Sequence, residues 1–118
     1  MSPNDAVLAE RYYKAWNARD LEAILALYSD DIEFSSPYIA ALRLSPDGVI
    51  MGKVKLREYF EKALARAPEL KFVPESLCVG ARGHTLIYRN HRGERAAEAH
   101  ELDASGLIIR ADATYETV

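Results

Sequence analysis

The stretch from Arg11 to Pro37, RYYKAWNARDLEAILALYSDDIEFSSP, constrains the fold more than any other part of the chain. It holds the end of one amphipathic helix, a break at Asn17-Ala18-Arg19, a second short helix and a first strand. The first helix is predicted over residues 3–18. Ser2, Pro3 and Asp5 supply a capping hydroxyl, a proline at the first helical position and an acid in the first turn. Leu8, Tyr12 and Ala15 recur at helical spacing with Trp16 beside them, so one face is apolar. Asp20 then caps the second helix, whose inner face is read as Leu21, Ile24, Leu25 and Tyr28. Asp30-Asp31 reads as a turn, and Ile32–Ser35 alternates as a strand.

Beyond Pro37 the pattern is lost until Met51. This segment carries Tyr38, Ile39, Leu42, Leu44, Val49 and Ile50, which is too apolar for a solvated linker. It is either a lid or partner-contact loop or a loop with a short helical turn that only covers the core. A third helix is predicted from Lys53 to Ala67, with Leu56, Phe60, Ala63 and Ala67 inward, Tyr59 beside them, and a Glu58–Lys62 pair outside. Pro68 ends it. The strand candidates that follow are Leu70–Val79, Thr85–His91, Arg95–Leu102 and Leu107–Tyr115, joined by glycine-bearing turns as an antiparallel meander. Pro74 implies an edge or bulged position. Helices first and strands later imply an α+β fold, three N-terminal helices on a curved antiparallel sheet, whose open end forms a pocket.

At 118 residues the chain reads as one domain able to bury its own core. A net charge of −3 gives no basic face for nucleic acid. No apolar run reaches the ~20 residues of a membrane helix, and the N-terminus lacks signal-peptide character. The single cysteine, Cys78, sits in an apolar strand pattern and reads as a small buried hydrophobe. A cytoplasmic setting fits these features.

Several segments together resemble the SnoaL-like branch of the nuclear-transport-factor-2-like superfamily. They are Arg11-Tyr12, Trp16-Asn17-Ala18-Arg19-Asp20-Leu21, Ala26-Leu27-Tyr28-Ser29-Asp30-Asp31, Gly52, and Asp103-Ala104-Ser105-Gly106-Leu107-Ile108. The resemblance implies a cone-shaped fold shared with ketosteroid isomerases, limonene-epoxide hydrolases and polyketide cyclases. Fold alone does not fix function. Ketosteroid isomerase abstracts a proton with a carboxylate and holds the oxyanion with a tyrosine and a protonated aspartate. Laid against this chain, the tyrosine falls on Tyr12, the aspartate on Glu98 and the base on Ser36. A serine with no adjacent base cannot perform that abstraction, so the isomerase mechanism is not expected.

In the strand Arg95–Leu102, Ala96, Glu98, His100 and Leu102 share one face. The resemblance turns that face toward the pocket. Glu98 and His100 would lie about 6.5–7 Å apart along the strand, either as an acid–base pair or as a structural polar pair. Tyr12 is either a core tyrosine or a hydrogen-bond donor to a ligand. Trp16, Ser36, Tyr38 and Phe60 are expected at the pocket. On the last strand Ala111, Ala113 and Tyr115, grouped with Ile109, are expected to form its wall. His84 and His91 read as surface turn residues, and their spacing does not argue for a metal. No phosphate loop or nucleophile elbow is present, and no cofactor is implied. Arg110, Asp112 and Arg89 fall on the opposite sheet face, which is either solvated or, as the resemblance implies, a homodimer interface. Two functions follow: a small-molecule enzyme acting on an apolar, oxygenated substrate, with Glu98, His100 and Tyr12 as its catalytic residues, or a non-catalytic module that binds a small hydrophobic molecule or dimerises.

Overall fold

The break after the first helix is closed by backbone and side chains together. The computed structural model of the chain describes residues 3–117, so the expected cap at Ser2 lies outside the described residues. Helix α1 (Pro3–Asn17) ends in a Schellman closure. The Arg19 N–H donates to the Trp16 carbonyl at 3.0 Å and the Asp20 N–H to the Ala15 carbonyl at 3.1 Å. Arg19 sits at φ 57, a left-handed position that glycine usually fills. Its guanidinium then donates to the carbonyls of Leu64 at 2.5 Å and Ala67 at 2.6 Å. The Asn17 amide brackets the backbone of Phe72, donating to its carbonyl at 2.9 Å and accepting its N–H at 2.8 Å. Asp20 accepts from the Ala23 N–H and caps α2 (Leu21–Leu25).

The remaining elements are β1 (Tyr28–Ser35), α3 (Pro37–Ala41), β2 (Val49–Met51), α4 (Lys53–Arg66), β3 (Val73–Val79), β4 (Gly83–Arg89), β5 (Arg95–Leu102) and β6 (Ile108–Tyr115). They form a mixed α+β structure around one six-stranded sheet in the order β2-β1-β6-β5-β4-β3. Helix α1 packs on β3 and β4, and α4 packs on β1 and β2. Leu8, Tyr12 and Trp16 of α1 and Leu56 and Phe60 of α4 meet Phe34, Leu86 and Ala96 in the core. No helix of the described residues is long and apolar enough to cross a membrane.

Several expectations need correction. The sheet is not wholly antiparallel, because β1 pairs with β6 in parallel. Tyr28 belongs to β1, not to the second helix. Asp30-Asp31 is a bulge within that strand rather than a turn: the register slips between Tyr28 and Glu33, and both aspartates face solvent. Residues 37–51 contain the short helical turn of the second alternative and, beyond it, a short strand. Ser36 caps α3 through the Tyr38 N–H, Pro37 begins that helix, and Val49–Met51 pairs with β1. The helices therefore number four among the described residues. Leu64 rather than Ala67 completes the inner face of α4. Cys78 is exposed. It lies on edge strand β3 opposite Thr85, which alternates with buried His84 and Leu86 and so faces the convex side. Ile109 is displaced from the Ala111–Ala113 face by a register slip that leaves Ile108 buried instead. Pro74 does sit on an edge strand beside a bulge.

Hydrogen bonds from a charged donor contribute about 1.5–3 kcal/mol each. Arg19→Met is therefore expected to lower the unfolding free energy by about 2 kcal/mol or more, measured by urea denaturation. An Arg19→Lys variant should recover only part of the loss, because a single ammonium lacks the forked donor geometry.

Candidate active site

A cavity of about 570 Å³ opens between α1, α4 and the concave sheet face. This lies within the size range of small-molecule sites. Its rim is formed by Leu42, Arg66, Glu69, Leu70, His91 and Arg92. Its walls are aromatic: Trp16, Phe34, Tyr59, Phe60, Phe72 and Tyr115. Tyr12, Tyr88 and Glu98, each at most 3% exposed, form the inner end.

Strand alternation places Glu98 there. Ala96, Glu98 and His100 are buried, while Ala99 between them is exposed. A buried carboxyl group needs hydrogen-bond partners, and Glu98 has three. The Tyr12 and Tyr88 hydroxyls donate to Oε1 at 3.0 and 3.2 Å. His100 Nε2 lies 2.6 Å from Oε2. The network continues away from the cavity. His100 Nδ1 is 3.0 Å from His84 Nε2, and His84 Nδ1 is 2.8 Å from Asp5 Oδ1. All four members of this chain are at most 5% exposed.

The sequence-derived candidates divide accordingly. Tyr12, Glu98 and His100 come together, although His100 stands behind Glu98 rather than on the cavity wall. Trp16 and Phe60 line the cavity and touch edge to face, with centroids 4.8 Å apart. Tyr38 lines it near the rim, with its ring against Tyr115 and its hydroxyl donating to the Glu94 carboxylate. Ser36 is buried but occupied as the α3 cap, and its Oγ accepts from the Tyr59 hydroxyl at 3.4 Å; it is not a cavity-lining residue. Ala111 and Ala113 are buried as cross-strand partners of His100 and Glu98, beneath the site rather than on its surface. His91 is half-buried at the rim. His84 is not a surface turn residue: it is the second residue of β4, is 3% exposed and bonds to Asp5 and His100.

Asp5, His84 and Tyr88 escaped the sequence reading as site residues. The signals were present. His84, Leu86 and Tyr88 share a strand face by alternation, and Asp5, Leu8 and Tyr12 share a helix face. Asp5 also fits the pattern of a first-turn acid, which favours the helix dipole.

Burial, and then the charge of Glu98, hold the Tyr12 and Tyr88 hydroxyls well above the ordinary tyrosine value. Burial pushes Tyr59 up to about 12. These phenols are neutral donors at physiological pH. Burial lowers the His84 value, and the Asp5 bond only partly offsets this. Neutral His84 then donates from Nδ1 to Asp5 and accepts at Nε2 from His100 Nδ1. Among the described residues no group of three His, Cys, Asp or Glu side chains has a metal-binding arrangement.

The model of the SnoaL-like domain family matches residues 9–116. The chain belongs to the SnoaL-like family. Among solved structures, a SnoaL-like protein of unknown function from Burkholderia thailandensis is 30% identical, with 99% of this chain and 98% of that one covered and a TM-score of 0.94. TerC, co-crystallised with polyporic acid, is 16% identical over 98% of this chain and 92% of its own, with a TM-score of 0.78. A protein from Kribbella flavida provisionally named a ketosteroid isomerase is 16% identical over 98% and 79%, with a TM-score of 0.70. No match was found among the curated proteins. The last two similarities speak to the fold alone. Within that fold, this SnoaL-like chain has Tyr12 and Glu98 in contact and a helix cap at Ser36.

The lowered His84 value has a consequence for stability. The unfolded chain takes up the proton near the ordinary value of 6.5, and the folded chain takes it up only at lower pH. The unfolded state thus binds more protons as pH falls through this window, and stability falls with it. The melting temperature is expected to drop between about pH 7 and about pH 5, and His84→Gln should flatten that slope in thermal melts followed by circular dichroism.

Proposed function

We propose that this SnoaL-like chain is an acid–base enzyme for a small, apolar, oxygenated molecule, with Glu98 as the catalytic proton carrier. One observation carries this reading: a buried carboxylate stands at the inner end of an otherwise aromatic cavity of about 570 Å³. Aromatic walls favour a flat ligand. Glu98 exchanges a proton with a carbon or oxygen of that ligand. Tyr12 and Tyr88, held as neutral donors, turn from Glu98 Oε1 to the ligand oxygen on which charge develops. His100 shares the proton at Oε2 and steadies either protonation state of Glu98. Ser36 supplies no base, so the reaction runs through one carboxylate rather than two.

A second reading keeps the cavity without turnover. It is favoured by the three hydrogen-bond partners that already satisfy Glu98 at rest. Solvent-deuterium incorporation separates the two readings. A panel of hydroxylated aromatic ketones and quinones, with polyporic acid included because TerC was crystallised with it, would be incubated in D₂O and followed by NMR. The enzyme reading expects carbon-bound deuterium or turnover with at least one member. Glu98→Gln should reduce the rate by roughly 10²-fold or more while ligand binding and the melting temperature persist. Tyr12→Phe should cost less, because Tyr88 remains. Full activity in Glu98→Gln would overturn the assignment, and binding without exchange by any panel member would favour the second reading.

The convex sheet face is proposed as a homodimer interface. Ile87, Ala97 and Ala99 lie there, flanked by exposed Arg110 and Asp112. Opposite charges on one patch become complementary when the patch meets its own copy across a two-fold axis. Light scattering after size exclusion should give twice the chain mass, and Ile87→Lys should give one chain mass.

A further inference from the structure

We infer that Asp5, His84 and His100 form a proton relay that connects Glu98 to the end of the fold opposite the cavity mouth. The inference rests on the acid–base reading of Glu98 and adds positioning and proton-transfer roles for three residues which that reading leaves behind the catalytic carboxylate. Four side chains from three elements are joined in series by contacts of 2.6, 3.0 and 2.8 Å. Each imidazole uses one ring nitrogen toward the cavity and the other away from it. A merely structural polar pair would not need this continuity across α1, β4 and β5.

The backbone holds the rings in line. His84 and His100 are direct cross-strand partners. The strands approach so closely beside them that a Cβ on Gly83 would stand 1.9 Å from the His100 carbonyl oxygen. The relay also has a direction. Asn90 follows the last residue of β4 and lines the cavity, whereas His84 is at the start of that strand. Roughly 20 Å of strand separates the two. Asp5, with its side chain 7% exposed, ends the chain at the far side.

The transfer balances as a shift of protons along existing hydrogen bonds. Glu98 gives its proton to His100 Nε2. His100 gives the proton on Nδ1 to His84 Nε2, and His84 gives the proton on Nδ1 to Asp5 Oδ1. Glu98 ends as a carboxylate, Asp5 as a carboxylic acid and both rings as neutral imidazoles of the opposite tautomer. The net charge is unchanged, and the reverse shift restores the start without a ring flip. A ligand seated at the mouth shuts off water on that side, so the relay lets Glu98 regain or release a proton during occupancy. The groups that face the relay are Tyr12 of α1 and Tyr28 of β1, both against the His100 ring, and Tyr88 of β4 at Glu98.

The test uses the full chain labelled with ¹⁵N-histidine and needs no substrate, so it fails separately from the acid–base reading. The solvent exchange rate of the His100 ring N–H would be measured by NMR in wild type, Asp5→Asn, Asp5→Glu and His84→Gln. Asparagine still accepts the His84 N–H but cannot pass a proton onward. Exchange is expected to slow by roughly tenfold or more in Asp5→Asn and His84→Gln, with backbone amide protection unchanged, and to recover in Asp5→Glu. Unchanged exchange in folded Asp5→Asn overturns the relay even if Glu98→Gln abolishes turnover. A further measurement needs no variant. In wild type the ¹⁵N shifts of both rings and the Glu98 carboxyl carbon should move together in shared pH transitions, and independent transitions also overturn the relay.

Discussion

The grip of Asn17 and Arg19 on distant backbone is the constraint on which the rest of the molecule depends. A left-handed arginine is locally unfavourable, yet its side chain reaches the last carbonyls of α4, which have no partner within that helix. Asn17, two residues earlier, fixes Phe72 where the chain enters the sheet. One short break therefore ties together the end of α1, the end of α4 and the approach to β3. The same three places supply Trp16, Ala63, Ala67, Leu70 and Phe72 to the cavity wall. The break both reverses the chain and holds the cavity open.

Glu98 imposes a second constraint, of opposite kind. An isolated buried carboxylate costs several kcal/mol even after relaxation, so its position demands donors from whatever packs above it. Tyr12 arrives from α1, Tyr88 from β4 and His100 from its own strand. His100, desolvated in turn, requires His84, and His84 requires Asp5. Each polar side chain in the series is explained by the burial of the one before it, and the series stops where Asp5 reaches the first turn of α1. The chain of consequence crosses the core and leaves the aromatic walls free of charge, which suits them to an apolar ligand.

Much of this was legible in the sequence, and the exceptions have physical causes. The Asp20 helix cap, the Glu98–His100 face and the pairing of Tyr12 with Glu98 follow from local spacing and from family resemblance. The β1 bulge was hidden because two solvent-facing aspartates have the composition of a turn. The parallel β1–β6 pair was hidden because pairing between chain ends leaves no local signal. In residues 37–51 the short helical turn fits one of the two alternatives, and the strand Val49–Met51 was hidden because three residues are too few to show a period. His84 was misjudged because a glycine beside a histidine suggests a turn. Here the glycine instead permits close approach of β5, and the histidine faces inward. Cys78 was misjudged because an apolar run on an edge strand resembles one in a core.

The absence of a base at Ser36 and the presence of the relay are best understood together. When two carboxylates share an acid–base reaction, one can accept while the other donates, and the pair returns to its starting state with little help from outside. Here the first strand is followed by Ser36, engaged as a helix cap, and Glu69, a carboxylate that also lines the cavity, stands at the exposed rim. In the acid–base reading proposed above, Glu98 then has both to take and to give. A single buried carboxylate can do this repeatedly only if its proton can move somewhere other than the ligand. The neighbouring imidazole provides the first step, and the second imidazole and Asp5 extend it beyond the reach of the cavity. A serine at the expected base position and the proposed proton path thus fit one chemical arrangement, in which tyrosines face the cavity and histidines face the interior.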